Sequence, residues 1–285
     1  MVDSDTCASF RARGVQVDSP GAVGLLLRQS PENVLEHYRA EVLRRVDVLR
    51  TLTADTTPRA LAEVGMPHRA ARLTDRAVEL ALQAAAESPK PVAVAGVMGS
   101  EMVGPLAPAR AQEEYHEHAQ RLEAAGCELL IARGQGSELE LMLAVASAVE
   151  TGLPTWAVIE CSPLGEPVAD APFDDLIARL EDAGASVVLF EVAAIRHGVE
   201  QLRRAAAAIR SETAPGVLLA GGENSVRGFP DRDSVPGLWA RDALDLDANG
   251  ARVIGGGAGT TEEHTAALAQ ALGALHPSLP IPQSV

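Results

Sequence analysis

The feature that most limits how this chain can fold is a repeat: short runs rich in Val, Ile and Leu alternate with longer segments of helical periodicity along nearly the whole sequence. Uninterrupted apolar runs are what strands look like when both faces are covered, and a helix between each pair lets the strands run parallel. Seven such runs stand out: Val46–Thr53, Pro91–Val97, Glu128–Ala132, Thr155–Glu160, Ser186–Glu191, Gly216–Ala220 and Arg252–Gly255. Helical patterns such as Arg69–Glu87, Ala109–Ala125, Ser137–Glu150, Phe173–Ala183 and Gly198–Ser211 separate them. An eighth strand is expected at the N-terminus, short or irregular because apolar residues are scarce there. Seven firm βα units and one frayed unit predict a (βα)8 TIM-type barrel rather than an open doubly wound sheet. No composition shift marks a boundary, so residues 1–285 read as one domain, with Gly104–Pro108 and Gly221–Gly237 as long rim loops.

Charge narrows the partners. Lys and Arg total 24 against 39 Asp and Glu, a formal net charge of −15, so the average surface repels polyphosphate and anionic membrane. Nucleic acid and membrane are therefore excluded as expected partners, which leaves a small-molecule metabolite, with a homo-oligomer or protein partner open. No apolar run approaches the roughly 20 residues that span a bilayer, and the polar start lacks a signal-peptide core, so a cytoplasmic location is expected. Cys7, Cys127 and Cys161 are too few and too scattered for a disulfide framework or a paired metal motif. Abundant Ala and Arg with little Lys suggest a bacterial origin of high GC content.

In a parallel barrel the loops after the strands converge over one mouth, so candidate site residues lie at strand C-terminal ends. These ends offer Asp3 and Asp5; Thr51, Thr53 and Asp55; Ser100 and Glu101; Arg133; Glu160 and Cys161; Glu191; Glu223 and Asn224. So many carboxylates exceed what packing requires, although each alone also serves to cap a helix. The loop Gly255-Gly-Gly-Ala-Gly-Thr-Thr261 is the most specific feature. Its backbone at Gly256, Gly257, Ala258, Gly259 and Thr260 can approach a carboxylate or phosphate closely, or glycine simply fills a crowded strand-to-helix turn. Arg133 supplies a bidentate partner for such an anion, or else pairs with Glu128 or Glu138. Glu160 and Glu223 complete the expected substrate-binding set. Glu191, and His197 shortly after it, are the candidate catalytic acid and base. His37, His68, His116, His118 and His264 are expected on solvated helix faces.

Several blocks carry a resemblance to one family. Gly255-Gly-Gly-Ala-Gly-Thr-Thr-Glu-Glu-His264 resembles the zinc signature of homocysteine S-methyltransferases, Gly-Gly-Cys-Cys-Gly-Thr-Thr-Pro-x-His, with Gly257 and Ala258 in place of the two thiolates. Arg13-Gly-Val-Gln-Val, Asp47-Val-Leu-Arg-Thr-Leu-Thr53 and Ala95-Gly-Val-Met-Gly-Ser100 resemble further family segments. Val187-Val-Leu-Phe-Glu191 is similar to Val-Gly-Val-Asn-Cys, which puts Glu191 at the remaining zinc cysteine. Ala125–Arg133 resembles the strand ending Leu-Leu-x-Glu-Thr, so Arg133 stands where the resemblance implies a glutamate that holds the amino-acid substrate.

The resemblance implies a thiol methyltransferase barrel whose zinc mechanism has lost its ligands. Zinc needs several soft or borderline donors in tetrahedral array, and Glu191, Gly257 and Ala258 offer at most one. No cofactor is expected, and Mg²⁺ held by Glu160, Glu191 and Glu223 is the remaining metal option. The leading expectation is a divergent, metal-independent enzyme acting on a small anionic or amino-acid-like metabolite. The alternatives are a non-catalytic barrel that binds a metabolite or partner, and a homocysteine S-methyltransferase with unorthodox ligands.

Overall fold

Seven strands form one sheet in sequence order, every neighbour parallel: β1 (Val48–Arg50), β2 (Ala93–Met98), β3 (Leu129–Arg133), β4 (Thr155–Glu160), β5 (Val187–Val192), β6 (Ala214–Leu219) and β7 (Val253–Gly256). The computed structural model describes residues 1–99, 103–104, 106–134, 136–222 and 235–275. Helices α1 (Thr6–Ala12), α2 (Ala22–Gln29) and α3 (Pro31–Leu43) precede β1, and α4 (Pro58–Ala62) and α5 (Ala70–Ala86) follow it. One helix follows each later strand: α6 (Pro108–Ala125), α7 (Glu138–Val149), α8 (Phe173–Asp182), α9 (Ile195–Ala208), α10 (Pro236–Ala248) and α11 (Glu262–Leu275). Among the described residues no helix is long and apolar enough to cross a membrane.

The strands read as apolar throughout because both of their faces are covered. Val48, Val97, Ile131, Val158, Leu189 and Leu218 pack together on the inner face. The alternate residues Leu130, Ala157, Val188, Phe190 and Val217 pack under the outer helices. Each fully buried Leu, Ile or Val side chain contributes roughly 2 kcal/mol of transfer free energy, so the two layers dominate the stability of the sheet. The same alternation places what comes next on each strand. Arg50 follows Val48, Arg133 follows Ile131, Glu160 follows Val158 and Glu191 follows Leu189, two residues on in each case, and therefore on the inner face at the strand ends.

The eighth strand expected at the N-terminus is reduced to one residue. Val2 makes a single parallel bridge to Val48. Its N–H donates to Ile254 O at 2.9 Å, and Gly256 N–H donates to Asp3 O at 3.1 Å, so this short segment hydrogen-bonds to both β1 and β7. The chain leaves the sheet there because the next residues are polar and find partners off it. Arg50 donates from Nε to the buried Asp3 carboxylate at 2.7 Å and from Nη2 to the carbonyls of Asp3, Ser4 and Gly256. Asp5 caps α1 by accepting from Cys7 N–H.

Strand β1 is also shorter than the expected Val46–Thr53. Beyond Arg50 the threonine hydroxyls continue the ladder: Thr51 Oγ1 donates to Ala95 O at 3.0 Å and Thr53 Oγ1 to Val97 O at 2.8 Å. His37, His118 and His264, expected in solvent, are buried at 0%, 7% and 5% exposure. They share helix faces with Val34 and Tyr38, Tyr115 and Leu122, and Leu268, all of which pack inward.

Candidate functional site

The period-2 geometry delivers one charged residue from each of three neighbouring strands to the same mouth. Glu160 and Glu191 are register partners on β4 and β5. Arg133, at the end of β3, reaches across them: Nη2 lies 2.5 Å from Glu191 Oε2 and 3.9 Å from Glu160 Oε1. All three side chains are largely buried, at 12%, 17% and 21% exposure for Arg133, Glu191 and Glu160. Neither Glu128 nor Glu138 takes Arg133: Glu128 accepts from Val94 N–H, and Glu138 binds Arg179 and the N–H groups of Asp170 and Ala171.

A cavity of about 320 Å³ opens above this network. Arg133 and Glu191 line one side; Asp5, Cys7 and Arg11 from the α1 region, Thr51 and Asp55 after β1, and Gly257 and Ala258 after β7 line the rest. The mouth therefore holds both signs of charge. Burial, together with the nearby carboxylates Asp5 and Asp55, pushes the Cys7 thiol up to about 12, so it is a thiol at neutral pH.

The glycine-rich loop is arranged differently from an open anion cradle. Gly256 N–H donates to Asp3 O, Gly257 N–H to Leu219 O at 2.9 Å and Thr260 N–H to Gly257 O at 3.2 Å. Gly259 N–H donates to the Asp5 carboxylate at 3.0 Å. Thr260 is fully buried; its Oγ1 accepts from Asp5 N–H at 2.9 Å and donates to Gly257 O at 2.7 Å. The anion beside this loop is thus the chain's own Asp5. Crowding explains the glycine content: a Cβ on Gly257 would lie 3.1 Å from Ala220 N and Leu218 O, and one on Gly256 would strike Thr260 Oγ1.

The other sequence-predicted residues divide accordingly. Arg133, Glu160 and Glu191 come together, and Gly257 and Ala258 face the same cavity. Gly256, Gly259 and Thr260 serve the seam rather than the cavity. His197 is not among the residues lining the mouth; it lies near the start of α9, 6% exposed, with its ring so close to Gly165 that a Cβ there would be 2.5 Å from it. Glu223 and Asn224, like Ser100, Glu101 and most of the Gly221–Gly237 loop, lie outside the described residues. The sequence reading missed Arg11 and Arg50. The signal for Arg50 was a single cation inside an apolar strand, which demands a buried acid.

The three positions aligned with zinc cysteines do not fit the ion. Gly257 and Ala258 carry no donor side chain, and the Glu191 carboxylate is held by Arg133. Among the described residues no three His, Cys, Asp or Glu side chains are grouped to hold a metal.

Comparison with known proteins bears on this geometry. Homocysteine methyltransferase MmuM from Escherichia coli superposes with a TM-score of 0.79 in its oxidized form, at 21% identity over 94% of each chain. Its metallated form gives the same TM-score at 20% identity and the same coverage. The 3-dehydroquinate dehydratase of Geobacillus kaustophilus follows at TM-score 0.53 and 12% identity, covering 87% of this chain and 88% of that one. At these identities the likeness speaks for the fold, an α/β arrangement whose curled parallel sheet matches their barrels. Comparison with curated protein sequences returns no match. The family model for homocysteine S-methyltransferase matches residues 10–272, and the chain belongs to that family.

Proposed function

We propose that this family member works without zinc and binds a small zwitterionic, amino-acid-like metabolite in the barrel mouth. The observation that carries the reading is the ion pair of Arg133 with Glu191, backed by Glu160, beside a cavity of about 320 Å³. A ligand carboxylate can take over the Arg133 guanidinium while the ligand ammonium takes over Glu191 and Glu160, so every buried charge stays paired. A ligand carrying only an anionic group would compete with two carboxylates for one guanidinium and leave them uncompensated. The exchange also frees Glu191 from Arg133 and sets it beside the ligand amine, where a carboxylate acts as general base. The Cys7 thiol, held near 12, supplies no thiolate nucleophile.

The same two observations, a Glu191 carboxylate locked in an ion pair and a protonated Cys7, favour one other reading: a barrel that binds such a metabolite without transforming it. Calorimetric titration of chelator-treated protein with homocysteine, methionine and other amino acids tests both. One-to-one binding is expected, weakened about 30-fold in Arg133→Ala, equivalent to about 2 kcal/mol for loss of a buried charge-assisted pair. Turnover that disappears in Glu191→Gln marks an enzyme; binding without turnover in the unmodified protein marks the non-catalytic form. Binding unchanged in Arg133→Ala overturns the assignment of the mouth.

A further inference from the structure

Away from the mouth, the outer helical layer holds a second concavity of about 490 Å³, where the end of α2, the start of α3 and the first half of α5 meet. Arg28, Arg69, Arg72 and Arg76 line it, with Asp75 and Glu79 the acids at its edge. Both acids are engaged: Asp75 lies 3.1 Å from Arg121 Nε, and Glu79 lies 2.8 Å from Arg76 Nη1. Among the described residues Arg28 donates only to the thioether of Met66 at 3.5 Å, a weak acceptor. Among the described residues no carboxylate comes within ion-pair distance of Arg28, Arg69 or Arg72. In a chain of net charge −15, with 39 acids against 24 basic residues, three such guanidinia around one groove are a local reversal of the surface field.

The surroundings sharpen the ligand class. Arg69 and Arg72 sit at the N-terminal end of α5, a 17-residue helix with no acidic residue in its first turn and no side-chain cap, so the positive end of the helix adds to the guanidinium charges instead of offsetting them. The apolar part of the lining is Leu27, Pro31 and Leu73. We propose that this groove binds a small phosphomonoester, its dianionic phosphate held by Arg28, Arg69 and Arg72 and its organic group resting on Leu27, Pro31 and Leu73. Planar guanidinium forks match phosphate oxygens, and a dianion satisfies several of them at once where a single carboxylate cannot. The site is independent of the zwitterion proposed for the mouth.

Titration calorimetry at low ionic strength with inorganic phosphate and with phenyl phosphate tests the proposal. Saturable one-to-one binding is expected, tighter for phenyl phosphate because the ring covers the apolar lining, and weaker as salt is added. Arg69→Ala/Arg72→Ala should lose about tenfold or more in affinity, as should Arg72→Gln at its exposed position, while Arg133→Ala should bind phosphate as the unmodified protein does. An unchanged thermal midpoint without ligand shows that each groove variant folds, and a cooperative melt shows the same for Arg133→Ala. No saturable heat, undiminished binding in both groove variants, or loss of binding in Arg133→Ala overturns the assignment.

Discussion

The charge network at the mouth makes a quantitative prediction that needs no ligand. Glu160 and Glu191 are register partners on adjacent strands, and Arg133 is the cation within ion-pair distance of both. Neighbouring strands lie roughly 4.8 Å apart, so two carboxylates fixed at that separation repel by about 3 kcal/mol at an effective dielectric near 20. Water entering the space left by an arginine reduces this, and about 2 kcal/mol is the expected destabilisation of Arg133→Ala at pH 8. Glu191→Gln alone leaves Arg133 paired with Glu160 and should cost less. In Arg133→Ala/Glu191→Gln the repulsion is gone, so the double variant should be more stable than Arg133→Ala, with a coupling of about 2 kcal/mol in a double-mutant cycle. Urea unfolding of the four proteins measures it. A coupling below about 0.5 kcal/mol would mean that these three residues do not form one network, and the proposed ligand exchange would lose its basis.

Four further outcomes follow, three from buried titratable groups and one from the donor set. Burial, with Asp3 nearby, raises the Glu41 carboxyl against the opposing effects of His37 and Ser4, so the carboxylate withdraws stability as pH rises above its unfolded value; Glu41→Gln should be more stable than the parent by about 1 kcal/mol at pH 8, with the gain vanishing near pH 4 in thermal melts. Burial pushes His118 down to about 4, so between about pH 6.5 and 4 the unfolded chain binds the proton that the folded one refuses; stability should fall by about 3 kcal/mol through that window and much less in His118→Gln. Burial works against the Glu262 carboxylate, but His37 and Arg13 outweigh it and bring the group to about 2, so its stabilisation is present above about pH 4.5 and lost as pH falls through 2, a loss absent in Glu262→Gln. Elemental analysis should find no stoichiometric zinc on chelator-dialysed protein; about one zinc per chain surviving that treatment would contradict the reading of Glu191, Gly257 and Ala258.

The architecture was legible because strands covered on both faces must be apolar along their whole length, and a chain that repeats such strands between helices has few ways to bury them. Which candidate residues share one end of the sheet was legible where strand periodicity alone decides direction: Arg133, Glu160 and Glu191 continue the inner rows of Ile131, Val158 and Leu189. What sequence did not reveal is who answers whom. Arg133 had nearer acids in Glu128 and Glu138, yet those serve Val94 N–H and Arg179. His37 was assigned to solvent from its helix, although Val34, Tyr38 and Glu41 on the same face are all buried with it. Reading that face as a unit, rather than weighing the histidine alone, would have placed it correctly.

The glycine-rich loop shows why a retained motif and a retained activity are separate matters. Gly256 accepts from Arg50 and donates to Asp3, Thr260 ties Asp5 N–H to Gly257 O, and Gly259 N–H holds the Asp5 carboxylate. These contacts fasten β7 to the N-terminal segment where the short stretch around Val2 joins the edges of the sheet. The segment replaces a whole strand, so the loop that anchors it cannot be loosened without opening the seam, whatever happens in the cavity beside it. Gly257 and Ala258 face that cavity, and they, with Glu262 in place of the proline, are the positions that depart from the family's pattern. Gly255, Gly256, Gly259 and Thr260 follow it, and of these Gly256, Gly259 and Thr260 make the contacts that fasten the seam. A fold requirement is therefore sufficient to explain the motif, and evidence for chemistry has to come from the charges opposite it, where Arg133 and Glu191 meet.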